Sequence, residues 1–339
     1  MTKARRATAL GILSLSLLFS LVLALSVGAA SIPLLSTAKI LWEKLAGQSN
    51  LTSYHTIIFD VRLPRVLLSA LVGAALATSG AIFQGLFRNP MADPYIIGVS
   101  SGAALGAASA IVFRLNYWIL GSCMIPLAAF LGALLATLVV YQIARMGGRI
   151  PISALLLSGI ALGSFLSAIM TFLLVIKGRD LQAVFFWLMG GFSARGWEHV
   201  KMVVPFIIIG LPMSFFFARD LNLMLLGEEK AVQLGADVER LKRLMLVISS
   251  LIAAAAVSVS GLIGFVGLMT PHIVRTLFGP DHRLLLPTTA LGGAIFLVLA
   301  DTAARVVLAP SEIPVGIITA FFGAPFFIYL LRLKRKALI

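Results

Sequence analysis

The stretch Arg62-Leu63-Pro64-Arg65, then twenty-two uncharged residues, then Arg88-Asn89-Pro90-Met91-Ala92-Asp93-Pro94 decides how this chain is read. About 20 apolar residues carry a helix across the hydrocarbon core of a bilayer. The uncharged run has that length. It has arginines at one mouth and a proline-clamped polar turn at the other, so it describes a membrane-spanning helix.

The composition extends that reading to the whole chain. Of 339 residues, 60% are hydrophobic and 12% charged, and the mean hydropathy is +1.04. A soluble domain carries about a quarter charged residues, so most of this chain faces lipid or other buried helices. The single cysteine, Cys123, excludes a disulfide framework or a cysteine-rich metal site. The net charge of +14 sits in short clusters between apolar runs. That pattern fits anionic lipid headgroups and argues against nucleic acid as a partner.

Charge-poor windows predict spans at 7–38, 66–87, 94–113, 115–144, 150–176, 202–218, 244–271, 284–300 and 313–331. The first follows Lys3, Arg5 and Arg6 and is read as a retained helix rather than a signal peptide. The window 244–271 is too long for one helix and too short for two. Gly261, Gly264 and Gly267, followed by Pro271, predict a helix, a glycine-rich reversal and a shorter helix. The fold class expected is therefore an all-α membrane protein of about ten spans in one domain over 1–339. An even count puts both basic termini on one side. That side, the cytoplasmic one by the positive-inside rule, then holds 17 of the 27 Lys and Arg. Residues 181–194, flanked by Arg179 and Arg195, are apolar but too short to cross. They predict an interfacial helix with Trp187 at headgroup level. The segment 219–243 is the only long charged stretch.

Ser79-Gly80 to Pro90 and Ser260-Gly261 to Pro271 share Ser-Gly, an Ile at the fourth place and Pro at the twelfth. With ten spans the first copy runs inward and the second outward, which is an inverted repeat of the transporter kind. Runs of Gly, Ala and Ser crowd 73–80 and 98–108 and favour close helix contact.

Read together, these segments resemble the iron-chelate and cobalamin permeases of bacterial ABC importers, the FecCD/BtuC type. The matching stretches are Arg62 to Gly102, Trp187-Leu-Met-Gly-Gly-Phe192, Gly227 to Gly235, and Gly261 through Pro271, Asp301 and Arg305 to Pro325. The resemblance implies a dimer, of two copies or with a close paralogue, with the pathway on its axis. It implies two cytoplasmic ATPase subunits that bring ATP and Mg, and an extracytoplasmic binding protein. It also implies that Arg62, Arg65 and Arg305 dock that protein, and that Ile152 and Ser153 lie at a cytoplasmic gate.

The residues themselves add that no Gly-Lys dipeptide occurs, so this chain has no Walker A loop and no cofactor of its own. An ATPase would need a surface, and 219–243 offers it. Gly227 and Gly235 bound a short helix on which Glu228, Glu229, Lys230 and Asp237 stay solvated while Ala231, Val232 and Leu234 give an apolar face. Catalytic residues are not expected, because the spans hold few acids, bases or nucleophiles. Asp301 is the one plausible buried carboxylate for a proton-coupled carrier, the rival transporter class. Four histidines without ligand spacing predict no metal site. The cargo expected is an iron–siderophore chelate, with haem and cobalamin as alternatives.

Overall fold

The computed structural model describes residues 3–28, 30–47, 53–115, 121–177 and 180–336. Ten helices account for the crossings. They are α1 (Lys3–Ser26), α4 (Leu63–Leu86), α5 (Val99–Val112), α6 (Met124–Ala144), α7 (Ile152–Lys177), α9 (Trp197–Phe216), α12 (Val238–Ser260), α13 (Val266–Phe278), α14 (His282–Val306) and α15 (Val315–Lys336). Five shorter helices lie between them: α2 (Leu34–Leu45), α3 (Ser53–Thr56), α8 (Leu181–Met189), α10 (Ala218–Met224) and α11 (Glu228–Gln233). Among the described residues, seven stretches are long and apolar enough to cross alone. The helices α5 and α13, of 14 and 13 residues, rise only about 20 Å; a short 3-10 helix (Pro94–Ile97) precedes α5 and the non-helical stretch Gly261–Phe265 precedes α13.

The heart of the bundle is α4 against α12, α13 and α14. Small residues make this packing possible. A methyl group on Gly73 would collide with the carbonyl of Gly293 on α14, and one on Gly80 with the carbonyl of Gly267 on α13. Backbones this close gain dispersion contact that lipid cannot supply. At the other extreme α7 leaves nearly its whole length uncovered. Only 6% of its most apolar window is buried, against 83% for the span that contains α4.

The predicted reversal lies at Gly261–Phe265. Gly261 (φ +69°) ends α12, and Phe265 takes a left-handed φ of +69° immediately before α13. Pro271 sits inside α13 rather than ending it. Proline donates no hydrogen bond, so the carbonyl of Gly267 loses its helical partner. The side chain of Gln84 on α4 donates to that carbonyl instead, at 3.2 Å, and to Leu268 O at 3.3 Å. Tyr95 Oη donates to the carbonyl of Ile263 within the break at 3.0 Å.

The inverted repeat appears in the order of elements. Long α4, short α5 and long α6 and α7 are followed by long α12, short α13 and long α14 and α15, running the opposite way. The twelve-residue match is not its register, however. Ser79 lies inside α4, whereas Ser260 is the last residue of α12.

Two expectations need correction. The window 7–38 is not one helix: α1 stops at Ser26, and α2 follows as a separate amphipathic helix with Leu35 and Trp42 exposed. Hydropathy alone cannot see this stop, because the linking residues are apolar too. Trp187 does not turn its side chain out to headgroups but buries it within the protein, and its carbonyl lies against Gly261. Arg179 lies outside the described residues.

Candidate functional site

Two polar clusters mark opposite ends of the bundle. At the end where α4 and α15 begin, Arg65 and Arg305 converge on Asp301, Arg65 also meets Glu312, and Arg62 lies beside them on the end of α1. Arg65 Nη2 donates to Asp301 Oδ1 at 2.8 Å and Nη1 to Glu312 Oε1 at 2.8 Å. Arg305 Nε is paired with Asp301 Oδ2 at 3.2 Å. Asp301 is 1% exposed, and two guanidiniums hold it.

Arg62 and Arg305 spend most of their donors on backbone. Arg305 reaches the carbonyls of Ala24 and Val27 at 3.0 Å each, and Arg62 those of Leu25 and Ser26 at 2.6 and 3.0 Å, with Ala30 besides. The last carbonyls of a helix have no partner inside it, and a cation at that end is favoured by the helix dipole. The two arginines therefore cap α1. Both are 6% exposed, so of the three only Arg65, beside the half-exposed Glu312, reaches the rim.

Ser193 Oγ also donates to Glu312. Partial burial would push the Glu312 carboxyl up, but the bonds from Arg65 and Ser193 and the charges of Arg65 and Arg305 outweigh it and hold it below the ordinary carboxylate range. Beside this cluster opens a cavity of about 640 Å³ whose wall includes Arg114, Asp180, Trp187, Arg195 and Glu312.

At the opposite end lie α10 and α11. Arg6, near the start of α1, pairs with Asp281 at 2.8 Å, and Asn222 on α10 donates to the same carboxylate at 2.7 Å. Asn222 Oδ1 accepts from the backbone N–H of His282 at 2.8 Å and meets its Nδ1 at 2.9 Å. His282 is thus a structural turn residue. Burial pushes the Asp281 carboxyl up, but the bonds from Asn222 and Arg283 N–H, with the charges of Arg6 and Arg283, hold it low.

Gly227 (φ +107°) and Gly235 (φ +86°) bound α11. Glu229 is exposed, and Asp237 caps α12 by accepting from Arg240 N–H at 3.0 Å. Ala231 is fully buried rather than part of an outward apolar face; Val232 and Leu234, each 59% exposed, form that face with Leu226. Ile152 is the half-buried first residue of α7 and Ser153 is exposed beside it.

Sequence reasoning missed Lys242, which is 6% exposed and donates to Glu228 Oε2 at 2.7 Å and Glu239 Oε1 at 3.2 Å. A lysine two residues before an apolar window was its one signal. Sequence reasoning also missed Glu312 and Asn222, which carry no motif. Among the described residues, no group of three His, Cys, Asp or Glu could hold a metal ion.

Ten crossings with two broken members, a charged helical loop at one end and an arginine–carboxylate cluster at the other define a multi-pass membrane permease subunit. The chain belongs to the FecCD transport family, whose pattern matches residues 16–333. It is the transmembrane part of a type II ABC importer. A cobalamin import system permease of Halobacterium salinarum is 51% identical over 82% of this chain and 74% of its own length. A hemin transport system permease of Yersinia pestis is 40% identical over 96% of both chains. An Fe(3+)-citrate import system permease of Bacillus subtilis is 38% identical over 99% of this chain and 98% of its own. A solved metal-chelate type ABC transporter in an inward-facing conformation superposes with a TM-score of 0.84. It is 33% identical over 96% of this chain and 99% of its own.

Proposed function

We propose that this permease conducts a metal-bearing chelate across the cytoplasmic membrane, powered by separate ATPase subunits that grip α11. The observation that carries the reading is the joint placement of α10, α11 and the start of α1 at one end, in a chain of this family. That end is the cytoplasmic one, because it holds 17 of the 27 Lys and Arg. Gly227, Glu228, Glu229, Ala231, Leu234, Gly235 and Asp237 form the coupling segment. Val232 and Leu234 enter a groove on the ATPase, and the exposed Glu229 and Asp237 stay at its rim. ATP and Mg belong to that partner.

A binding protein docks at the Arg65 end. Three arginines against two carboxylates leave this surface net positive, and a carboxylate of the partner competes with Glu312 for Arg65. Arg62 and Arg305 contribute charge and hold the platform rigid. A second copy, or a close paralogue, covers α7. Ser164, Ser167 and Thr171 stand at helical spacing on its uncovered face, which suits a wetted path between two subunits more than contact with acyl chains. Ile152 and Ser153 stand at the cytoplasmic mouth of that path. The 51% identity to a cobalamin permease favours a corrinoid cargo over the iron–siderophore chelate that the resemblance alone suggests.

ATP-driven uptake of cyanocobalamin and of ferric siderophores into proteoliposomes, with the proton gradient collapsed, tests the assignment. Retained uptake under those conditions supports an ATP-powered importer; uptake that needs the gradient but no ATPase refutes it. Charge introduced by Val232→Asp with Leu234→Asp is expected to release the ATPase subunits. Arg65→Glu is expected to abolish stimulation by the binding protein.

A further inference from the structure

The cluster around Lys242 joins three pieces of chain that sequence keeps apart. Lys242 lies in the second turn of α12 and its ammonium is almost wholly buried. An ammonium has three donors and no acceptor, and here each faces a different segment. One meets Glu228, the first residue of α11, at 2.7 Å. One meets Glu239 in the first turn of α12 at 3.2 Å. The third points to the carbonyl of Ile150, at 3.5 Å, in the link before α7. Glu239 completes the circuit, because its other oxygen accepts the Ile150 N–H at 3.0 Å.

Both polar backbone groups of Ile150, itself a buried residue, are therefore held by this pair. Two residues further on, α7 begins at Ile152. The distances rank the parts: Lys242 grips α11 tightly, Glu239 grips the link, and the Lys242–Glu239 contact is the joint between them. Leaving a buried ammonium without its carboxylates costs far more than moving the neighbours with it. A displacement of α11 is thus passed on to Ile150 rather than absorbed.

We infer that Lys242, with Glu239 as its second arm, is the linkage that carries movement of α11 to the cytoplasmic start of α7. It is a positioning residue for transport, and the inference rests on the reading of α11 as the ATPase-binding helix. The apolar contacts around it (Leu86, Phe87, Leu155 and Leu246 line the same small gap) keep water from loosening the joint.

The test uses the complete transporter with its ATPase subunits in proteoliposomes. The parent carries Cys123→Ser and Ser153→Cys, and labelling of position 153 by a membrane-impermeant maleimide is followed with and without ATP and vanadate. In the parent, nucleotide trapping is expected to change the labelling rate. In Lys242→Met and in Glu239→Gln the ATPase subunits still copurify, but that change shrinks by about fivefold or more. Lys242→Arg, which keeps the charge and the reach, restores most of it. The linkage is overturned if both neutral variants respond to nucleotide as the parent does, or if Lys242→Arg fails as completely as Lys242→Met. Should Lys242→Met not fold, Glu239→Gln alone decides. A parent that binds the ATPase yet shows no nucleotide response at position 153 also overturns the linkage, whereas ATPase retained by Val232→Asp with Leu234→Asp refutes the reading of α11 instead, so the two failures are distinguishable.

Discussion

Each end of this permease buries a cation cluster, guanidiniums at one and an ammonium at the other, with the part-exposed Arg6–Asp281 pair beside the second. At the Arg65 end three guanidiniums, planar and rich in donors, fix α1, α4 and α14 to one another through two carboxylates and five backbone carbonyls. At the α11 end one ammonium, a compact point charge on a flexible stem, serves three segments, of which α11 lies outside the bundle. The first arrangement resists displacement in every direction. The second tolerates rotation about its centre while keeping its partners attached. One end is a clamp and the other a joint.

The largest effect that could break this contrast is at Asp301. Asp301→Ala leaves Arg65 and Arg305 facing each other without their shared counter-ion, an expected loss of about 3–5 kcal/mol. It should appear as a steep fall in the melting temperature of the detergent-purified protein. An unchanged melting temperature would refute the clamp. A smaller effect belongs to the other end. Asn222→Ala strips one donor from Asp281 and the partner from His282 N–H, at an expected cost of about 1–3 kcal/mol. Arg6 still holds Asp281, so the loss should appear as faster hydrogen exchange in α10 with little change in global melting. Equal protection in the variant would show that Asn222 does not fasten α10 to the start of α14.

The smallest effect is the response to acid. The folded-state pKa of Glu312 lies below its ordinary value of 4.5. A depressed carboxylate contributes stability that is complete above its unfolded-state pKa and is lost as pH falls through the folded one. Wild-type melting temperature should therefore decline on acidification below about pH 4.5, and Glu312→Gln should flatten part of that decline. Identical pH profiles for the two proteins would place Glu312 outside the clamp.

Most of the architecture was legible in the sequence because a bilayer imposes simple length rules. The windows around 66–87, 244–271 and 284–300 each correspond to a helix or to the predicted break. The arginines show where that legibility stops. Charge and position mark Arg62 and Arg305 as residues at a helix mouth. Nothing in their spacing reveals that the terminal carbonyls of α1 lie within reach, since that depends on how α1 folds back beside α4 and α14. Ala231 illustrates the same limit at smaller scale. A six-residue helix shows its composition in sequence, but which face turns inward is decided by its neighbours. Lys242 is the sharpest case: a cation at the edge of an apolar run reads as a membrane boundary, yet its partners lie in segments up to 92 residues away.

Gln84 has a consequence for how the pathway opens. By replacing the proton that Pro271 lacks, and with Gly80 flush against Gly267, it welds the start of α13 to the flank of α4. Separating the two helices would leave the Gly267 carbonyl and the Gln84 amide without partners, so the contact opposes any slide of the start of α13 along α4.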